Sequence, residues 1–260
     1  MRFNDHAHSP AGGRHELGQN FLVHRPTLER ITAIVAATVG PILELGAGDG
    51  ALTAHLVRLG RDLRAIDVDA RRAARLQARL PTASVVHADA LREPLTRPVV
   101  VGNIPFHLTT PILRRLLSEG TWQDAVLLTQ WEVARKRAGV GGSTMMTAQA
   151  APWFVFRLHE RVPAHRFRPM PSVDGGILTI GRRRRPLVDP RDRRRYEAFV
   201  AAVFRGRGNG IRQILRGTQH PPSAVDRALA SCGVSRTALP RDLAPEQWAA
   251  LWLGLDGLRR

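Results

Sequence analysis

The fold is decided by the stretch Ile42-Leu43-Glu44-Leu45-Gly46-Ala47-Gly48-Asp49-Gly50. Its first four residues are mainly apolar and predict a short buried strand, and its three glycines predict a tight turn. The pattern from Ala51 to Leu59 then predicts a helix. A glycine-rich turn between a strand and a helix lets the backbone approach a ligand closely and presents free N–H groups. The stretch therefore predicts a ligand-binding strand–turn–helix unit.

Apolar runs and helical patterns alternate downstream of this unit, at the spacing of βαβ units. Further strands are predicted at residues 63–68, 84–87, 98–101 and 125–129, with candidates at 154–158 and 176–180. Helices are predicted from Pro26 to near Gly40, from Asp69 to Leu80 and from Leu108 to Leu117. This order predicts an α/β fold with a doubly wound, mostly parallel, Rossmann-like sheet.

The composition changes after Gly181. Residues 182–216 contain twelve arginines against three acidic residues, a local net charge of +9, and the chain beyond them shows only helical patterns broken by prolines. We therefore predict a flexible N-terminal tail at residues 1–14, an α/β domain at 15–181 and a small, basic, all-helical domain at 182–260. A domain of roughly 75 residues buries too little surface to be very stable alone, so it should pack on the first domain.

The net charge indicates the kind of partner. The 260 residues carry 39 basic and 22 acidic side chains, a formal charge of +17, and such a chain binds polyanions. All basic residues except Lys136 are arginines, which suit bidentate contacts with phosphate, although a GC-rich coding sequence would also favour them. Cys232 is the only cysteine and the histidines show no metal-ligand spacing, so we predict neither a disulfide nor a metal site. Without an apolar leader or a membrane-spanning run, the expected compartment is the cytoplasm.

The ligand of the glycine turn is ambiguous from the turn alone. Gly46, Gly48 and Ala51 satisfy a relaxed dinucleotide fingerprint. Asp67 follows about 20 residues later, where a carboxylate can hold ribose hydroxyls. The turn could also bind no ligand. Acidic residues on both sides of it disfavour a pyrophosphate and suit an amino group and a sulfonium, and Asp89, after the strand at 84–87, can accept from an adenine amine. Both features favour S-adenosylmethionine.

A second motif, Asn103-Ile104-Pro105-Phe106, follows the apolar run 98–102. It lies at the carboxyl edge of the predicted sheet, where open α/β folds bind their ligands. The motif combines an amide, a carbonyl restrained by the following proline and an aromatic ring. Together these groups suit a flat base that carries an amine.

Six motifs in the same order make the chain similar to the ribosomal RNA adenine N6-methyltransferases, and within them to the Erm group that modifies 23S rRNA. The sister KsgA group, which acts on 16S rRNA, more usually reads Asn-Leu-Pro-Tyr where this chain has Ile104 and Phe106. Those two residues therefore favour the Erm group. The six matching segments are Gly18 to Leu22, Glu44 to Gly50, Ala65 to Asp69, Asp89-Ala90, Asn103 to Phe106 and Phe167 to Asp174.

The resemblance implies that S-adenosylmethionine is the cofactor. Its methionine end would contact Asn20 and the backbone at Leu22, its ribose would contact Asp67 and its adenine would contact Asp89. The full set of implied cofactor residues is Asn20, Leu22, Gly46, Asp67, Asp89, Ala90 and Asn103.

The resemblance also implies which residues handle the substrate base. Asn103, Ile104, Pro105 and Phe106 would be the catalytic residues. The rings of Phe106 and Phe167 would stack on the two faces of the adenine, although Phe167 could instead be a core aromatic.

The two arginine runs of the helical domain would contact RNA phosphates rather than form only a solvated face. Their members are Arg182, Arg183, Arg184, Arg185, Arg193, Arg194 and Arg195. The implied partner is a single-stranded or loop adenine of 23S rRNA, met by a monomeric enzyme before ribosome assembly is complete. The implied outcome is resistance to macrolides, lincosamides and streptogramin B.

Three alternatives stay open. The first is a 16S rRNA dimethyltransferase of the KsgA type. The second is a non-catalytic RNA- or DNA-binding factor of the same fold, against which the intact motif from Asn103 to Phe106 argues. The third is an NAD-dependent dehydrogenase, for which the chain offers no catalytic His, Tyr or Lys pattern that can be placed.

Overall fold

The computed structural model describes residues 20–218 and 220–257, so the predicted tail at residues 1–14 lies outside the described residues. The strands are β1 Phe21–Leu22, β2 Ile42–Leu45, β3 Leu63–Asp67, β4 Ser84–His87, β5 Val99–Asn103, β6 Asp124–Gln130, β7 Phe154–Val162, β8 Phe167–Arg168 and β9 Gly175–Arg182. The α-helices are α1 Arg25–Ala36, α2 Ala51–Val57, α3 Ala70–Arg79, α4 Thr109–Ser118, α5 Trp131–Arg137, α6 Met145–Ala150, α7 Arg193–Arg205, α8 Ile211–Arg216, α9 Pro222–Ser231 and α10 Pro245–Trp252. Short 3-10 turns lie at Phe106–Leu108, Ala164–Arg166, Pro190–Asp192 and Pro240–Asp242, and a π-helical turn at Leu253–Gly257.

The main sheet has seven strands in the order β4-β3-β2-β5-β6-β9-β7. The strands from β4 to β6 are parallel, and β9 runs antiparallel to β6 and to β7. This confirms the predicted doubly wound, mostly parallel sheet. A separate antiparallel pair, β1 with β8, joins Leu22 to Phe167 in register. The sequence patterns did not predict this pair, because two-residue strands carry no periodicity.

The strands present alternate side chains to two separate cores, because successive residues point to opposite faces. Val99 and Val101 of β5 face a core that also contains residues of α1, α2 and α3. Val100 faces the other core, which contains residues of α4 and of the helices after β9. Helices therefore cover both faces of the sheet, as the apolar strand pattern requires.

The chain after β9 is helical, which confirms the predicted C-terminal helical part. It packs on the α/β part through Tyr196 of α7, whose hydroxyl donates to the Ala148 carbonyl of α6 at 3.0 Å. The Tyr196 ring meets Trp153 and Trp252 edge-on, with ring centroids 5.5 and 5.9 Å apart. Residues of both parts belong to one continuous core. In the described ranges, no helix has the length and apolar character needed to cross a membrane.

Candidate active site

The glycine turn after β2 and the motif after β5 meet at the carboxyl edge of the sheet, because β2 and β5 are parallel neighbours. The two strands approach closely at Gly102, where an added Cβ would lie 2.6 Å from the Leu45 carbonyl oxygen. Gly46 and Gly48 adopt positive φ angles of 73° and 56°, which strain any side chain-bearing residue. The turn therefore exposes backbone without side chains at the carboxyl edge of the sheet, next to the motif from Asn103 to Phe106.

Asp67, at the end of β3, holds the turn in place. One of its carboxylate oxygens accepts from the Gly48 backbone N–H at 2.7 Å, and the other accepts from the Asp69 N–H at 2.9 Å. The side chain is buried, and it lines the same small cleft as Gly46 and Asn103. A carboxylate has about four acceptor positions, so capacity for the predicted ribose contact is left.

Asn103 is fixed by a contact with the segment that precedes β1. Its side-chain nitrogen donates to the Asn20 backbone carbonyl at 2.8 Å. A carbonyl only accepts, so the atom that faces it must be Nδ2, and Oδ1 must point elsewhere. Oδ1 makes no hydrogen bond with any described residue, which leaves it as an acceptor in the cleft.

The rest of the motif is equally constrained. The Ile104 backbone N–H donates to the Leu128 carbonyl at 2.9 Å, and the Ile104 side chain is buried. Pro105 has φ of −52°, close to the value that its ring imposes. Phe106 begins a 3-10 turn and is half-buried in the wall of the cleft. The Ile104 carbonyl is thus fixed from both sides, by the hydrogen bond and burial of Ile104 and by the restricted backbone of Pro105.

Phe21 is a residue that the sequence analysis did not single out, and it covers the turn. Its ring lies so close to Gly48 that an added Cβ there would be 2.7 Å from Cε1, and the Arg72 guanidinium lies 4.7 Å from the ring centroid. The ring contributes to a cleft of about 30 Å³ on the Asn103 side and to a pocket of about 140 Å³ on the Glu44 side. The Phe21 ring thus lies between two adjoining cavities that share Gly46 and Asn103.

Glu44 is a buried acid beneath the turn. Its side chain is 1% exposed, and neither its Oε2 nor the Thr53 hydroxyl has a hydrogen-bond partner in the described chain. Burial raises the pKa of Glu44 to about 8. The Thr53 hydroxyl, near the carboxyl but outside hydrogen-bond geometry, lowers the pKa by a smaller amount, and the Asp67 charge adds to the rise. A single acid within an apolar strand was the signal that could have marked this residue from the sequence.

The structure places Phe167, which we predicted to stack on the substrate base, in the core beside Phe106, and its stacking role stays a prediction. Phe167 is completely buried, and its ring meets the Phe106 ring at 71° with centroids 6.5 Å apart. Gly175 explains the burial, because a Cβ there would lie 3.0 Å from the Phe167 ring. In this structure Phe167 packs against the ring of Phe106 from the core.

Three predicted cofactor residues lie away from the small cleft. Asp89 is partly exposed, accepts from the Leu91 N–H at 2.8 Å and lies 3.8 Å from Arg92. The Ala90 carbonyl accepts from Arg115 at 2.7 Å. Leu22 lines the pocket on the Glu44 side with a buried side chain. Their roles stay predictions, since neither cavity at Gly46 includes Asp89 or Ala90.

The arginine runs divide into two groups by their contacts within the protein, and the predicted RNA contacts of all seven stay predictions. Arg182 donates to the Glu119 and Gly120 carbonyls and lies over the Trp122 ring, 4.9 Å from its centroid. Arg183 and Arg193 also donate to backbone carbonyls, at Ala151 and Leu117 respectively. Arg195 pairs with Asp192 at 3.1 Å. These four arginines therefore make polar contacts within the protein. The remaining three are exposed and make no ion pair with any described residue: Arg184, Arg185 and Arg194.

Comparisons with known proteins agree on one family. A family model described as "Ribosomal RNA adenine dimethylase" matches residues 11–253. The chain is 51% identical over 246 residues to mycinamicin-resistance protein MyrB of Micromonospora griseorubida, covering 93% of this chain and 78% of that protein. It is 54% identical over 208 residues to an rRNA adenine N-6-methyltransferase of Corynebacterium diphtheriae, covering 78% and 82% of the two chains. The solved structure of the 23S rRNA methyltransferase ErmE superposes with a TM-score of 0.83 at 35% identity, covering 91% of this chain and all of that chain.

Glu44→Gln should change how stability depends on pH. The folded state holds the Glu44 proton up to about pH 8, whereas the unfolded chain releases it near pH 4.5, so rising pH costs wild-type stability across that window. Glutamine keeps the size and carries no charge. The free energy of unfolding of the variant, measured by urea titration without ligand, should exceed that of the wild type at pH 8 by on the order of a few kcal/mol and by little at pH 5.

Glu29→Gln is the matched control, because that carboxyl is exposed on α1 and pairs only with exposed Arg25. It should show no such pH trend. Parallel pH profiles for Glu44→Gln and the wild type would contradict the assignment of a buried, uncompensated acid.

Arg182→Ala and Arg184→Ala should affect different properties. Loss of Arg182 removes two hydrogen bonds to carbonyls and the contact with Trp122, so the free energy of unfolding should fall by about 2 kcal/mol. Loss of exposed Arg184 should change it by less than about 0.5 kcal/mol. Equal destabilisation by the two substitutions in urea titrations would refute the division of the runs.

Proposed function

Because the chain belongs to the ribosomal RNA adenine dimethylase family, we propose that it methylates N6 of one adenine in 23S rRNA, with S-adenosylmethionine as methyl donor. The choice of 23S is supported by the likeness to ErmE, and resistance to macrolides, lincosamides and streptogramin B by the likeness to a mycinamicin-resistance protein. The single observation that carries the chemistry is the orientation of the Asn103 amide by the Asn20 carbonyl.

The residues around the turn fit S-adenosylmethionine. This cofactor would supply a methyl group activated on a sulfonium, next to an ammonium and a carboxylate. The buried Glu44 carboxyl without a full set of partners matches a ligand that brings positive charge. Gly46 and Gly48 leave room for close approach of a ligand, and Asp67 keeps acceptor capacity for hydroxyls. Asn20 and Leu22 would contact the methionine end, and Asp89 and Ala90 would complete the adenine side.

The chain must first make an adenine amine nucleophilic, because its lone pair is delocalised into the ring. The free Oδ1 of Asn103 and the Ile104 carbonyl would accept the two N6–H groups. Two acceptors at fixed positions favour a tetrahedral nitrogen and direct its lone pair at the methyl group. The Asn20 and Leu128 carbonyls hold these acceptors before substrate arrives, so little reorganisation is needed in the transition state. The methylated nitrogen is acidic and can lose its proton to water without a dedicated base.

Phe106 would hold the base after it leaves its helix or loop. Stacking on one aromatic side chain recovers about 1–3 kcal/mol of the unstacking cost. The completely buried Phe167 packs against the Phe106 ring at 71° and would help to fix its position. A base held on one face can be accepted from a single strand or a loop more readily than from an intact duplex.

The exposed arginines Arg184, Arg185 and Arg194 would contact phosphates of the RNA near the helical part. We further infer that the enzyme acts as a monomer on RNA that is not yet fully assembled into ribosomes, and hence in the cytoplasm.

Methyl transfer to purified transcripts tests the proposal. Wild-type protein and labelled cofactor are incubated with 23S and with 16S transcripts, and the labelled adenine is mapped. We expect label at one adenine of 23S only, while label on 16S alone would overturn the choice of substrate. Asn103→Ala should lower the rate by about 10²-fold or more and leave cofactor affinity within about tenfold. Near-normal turnover of Asn103→Ala would overturn the mechanism.

A further inference from the structure

A groove lies beside α1, on the sheet face that carries the core of α1, α2 and α3. The end of the sheet formed by β9 and β7 extends beyond α1 on this face and leaves a groove of about 540 Å³. Its walls are α1, with Arg30 and Ile34, and β7, with Arg157 and His159. Its floor includes Thr179 of β9. The strands here carry polar and basic side chains where a covering helix would require apolar ones.

The groove concentrates positive charge that the protein does not neutralise. Arg30 and Arg157 are exposed, and neither makes an ion pair or a hydrogen bond with a described residue. They lie on opposite walls, Arg30 on α1 and Arg157 on β7 beside His159. Burial, Arg30 and Arg157, in that order, lower the pKa of His159. His159 is itself held by a 3.0 Å hydrogen bond to the Thr179 hydroxyl. Two free guanidiniums and an imidazole thus line one groove.

The carboxylates near the groove either pair with other arginines or are fewer than the basic side chains that line it. Glu29 of α1 pairs with Arg25 at 2.8 Å, and Glu160 of β7 pairs with Arg166 at 3.0 Å. Asp124 is the one carboxylate among the described lining residues. The nearby glutamates therefore support the walls through other arginines and leave Arg30 and Arg157 available for an external anion.

The groove is separate from the active site. Asn103 pairs with Leu128 on β6, and the groove reaches Asp124, four residues earlier on the same strand. With a rise of about 3.3 Å per residue, the far end of the groove lies about 13 Å along β6 from the residue that pairs with Asn103. Successive phosphates of a stacked single strand lie about 3–4 Å apart along the helix axis. On the order of a few nucleotides therefore span the distance between the groove and the active site.

We propose that this groove binds the phosphate backbone of the RNA substrate at a point remote from the target adenine. Arg30 and Arg157 supply two charge-assisted contacts, and His159 supplies a further polar group between them. The inference rests on the proposed function for the identity of the polyanion. Such contacts position the RNA and raise affinity without reading its bases. They are available only to an RNA long enough to extend past the active site.

The double variant Arg30→Gln/Arg157→Gln tests this groove. Its affinity for a 23S transcript should fall about five- to tenfold at low salt, and the slope of log affinity against log salt should become shallower by about 2. Methylation of a short hairpin cut from around the mapped adenine should stay within about twofold of the wild type, because that RNA does not reach the groove. Urea titration and cofactor titration should match the wild type, since both arginines are exposed.

Arg58→Gln/Arg75→Gln is the matched control. It removes the same net charge from exposed sites on the opposite half of the sheet, at the end of α2 and on α3. A loss of transcript affinity equal to that of the groove variant would overturn the proposal, because it would reflect net charge alone. Wild-type affinity and salt slope in the groove variant would overturn it as well. A wild-type protein that methylates no rRNA would instead refute the proposed function.

Discussion

The hydrogen bond from the Asn103 amide to the Asn20 carbonyl is the constraint on which the rest of the site depends. It joins the end of β5 to the segment before β1, which β8 in turn holds in place by pairing with β1. One rotation of the Asn103 side chain satisfies it, and that rotation turns Oδ1 into the cleft. The parallel sheet places Asn103 at the end of β5, and the short β1–β8 pair holds the segment whose carbonyl orients the Asn103 amide.

Much of this arrangement could be predicted from the sequence, because it depends on local pattern. Strands β2 and β4 occupy the predicted residues, since each is a short apolar run bounded by turn residues. The turn from Gly46 to Gly50 and the motif from Asn103 to Phe106 fall together because parallel neighbouring strands end at one edge.

The features that the sequence could not reveal depend on contacts between distant residues. Phe167 is buried because Gly175 leaves space for its ring, and Arg182 is internal because the Trp122 ring lies beneath it. Phe21 covers the glycine turn through a contact with Gly48. A run of arginines does not show which members fold back onto carbonyls, and a two-residue strand leaves no pattern. In each case tertiary packing decided a role that residue type left open.

The most direct test of the account is a high-resolution structure of the protein with S-adenosylhomocysteine and an adenine-containing RNA fragment. The account predicts the base on the open face of Phe106, with N6 about 2.7–3.2 Å from both Asn103 Oδ1 and the Ile104 carbonyl oxygen. The Asn103 side chain should still donate to the Asn20 carbonyl. A bound adenine whose N6 contacts neither oxygen, or an Asn103 side chain turned away from Asn20, would contradict it.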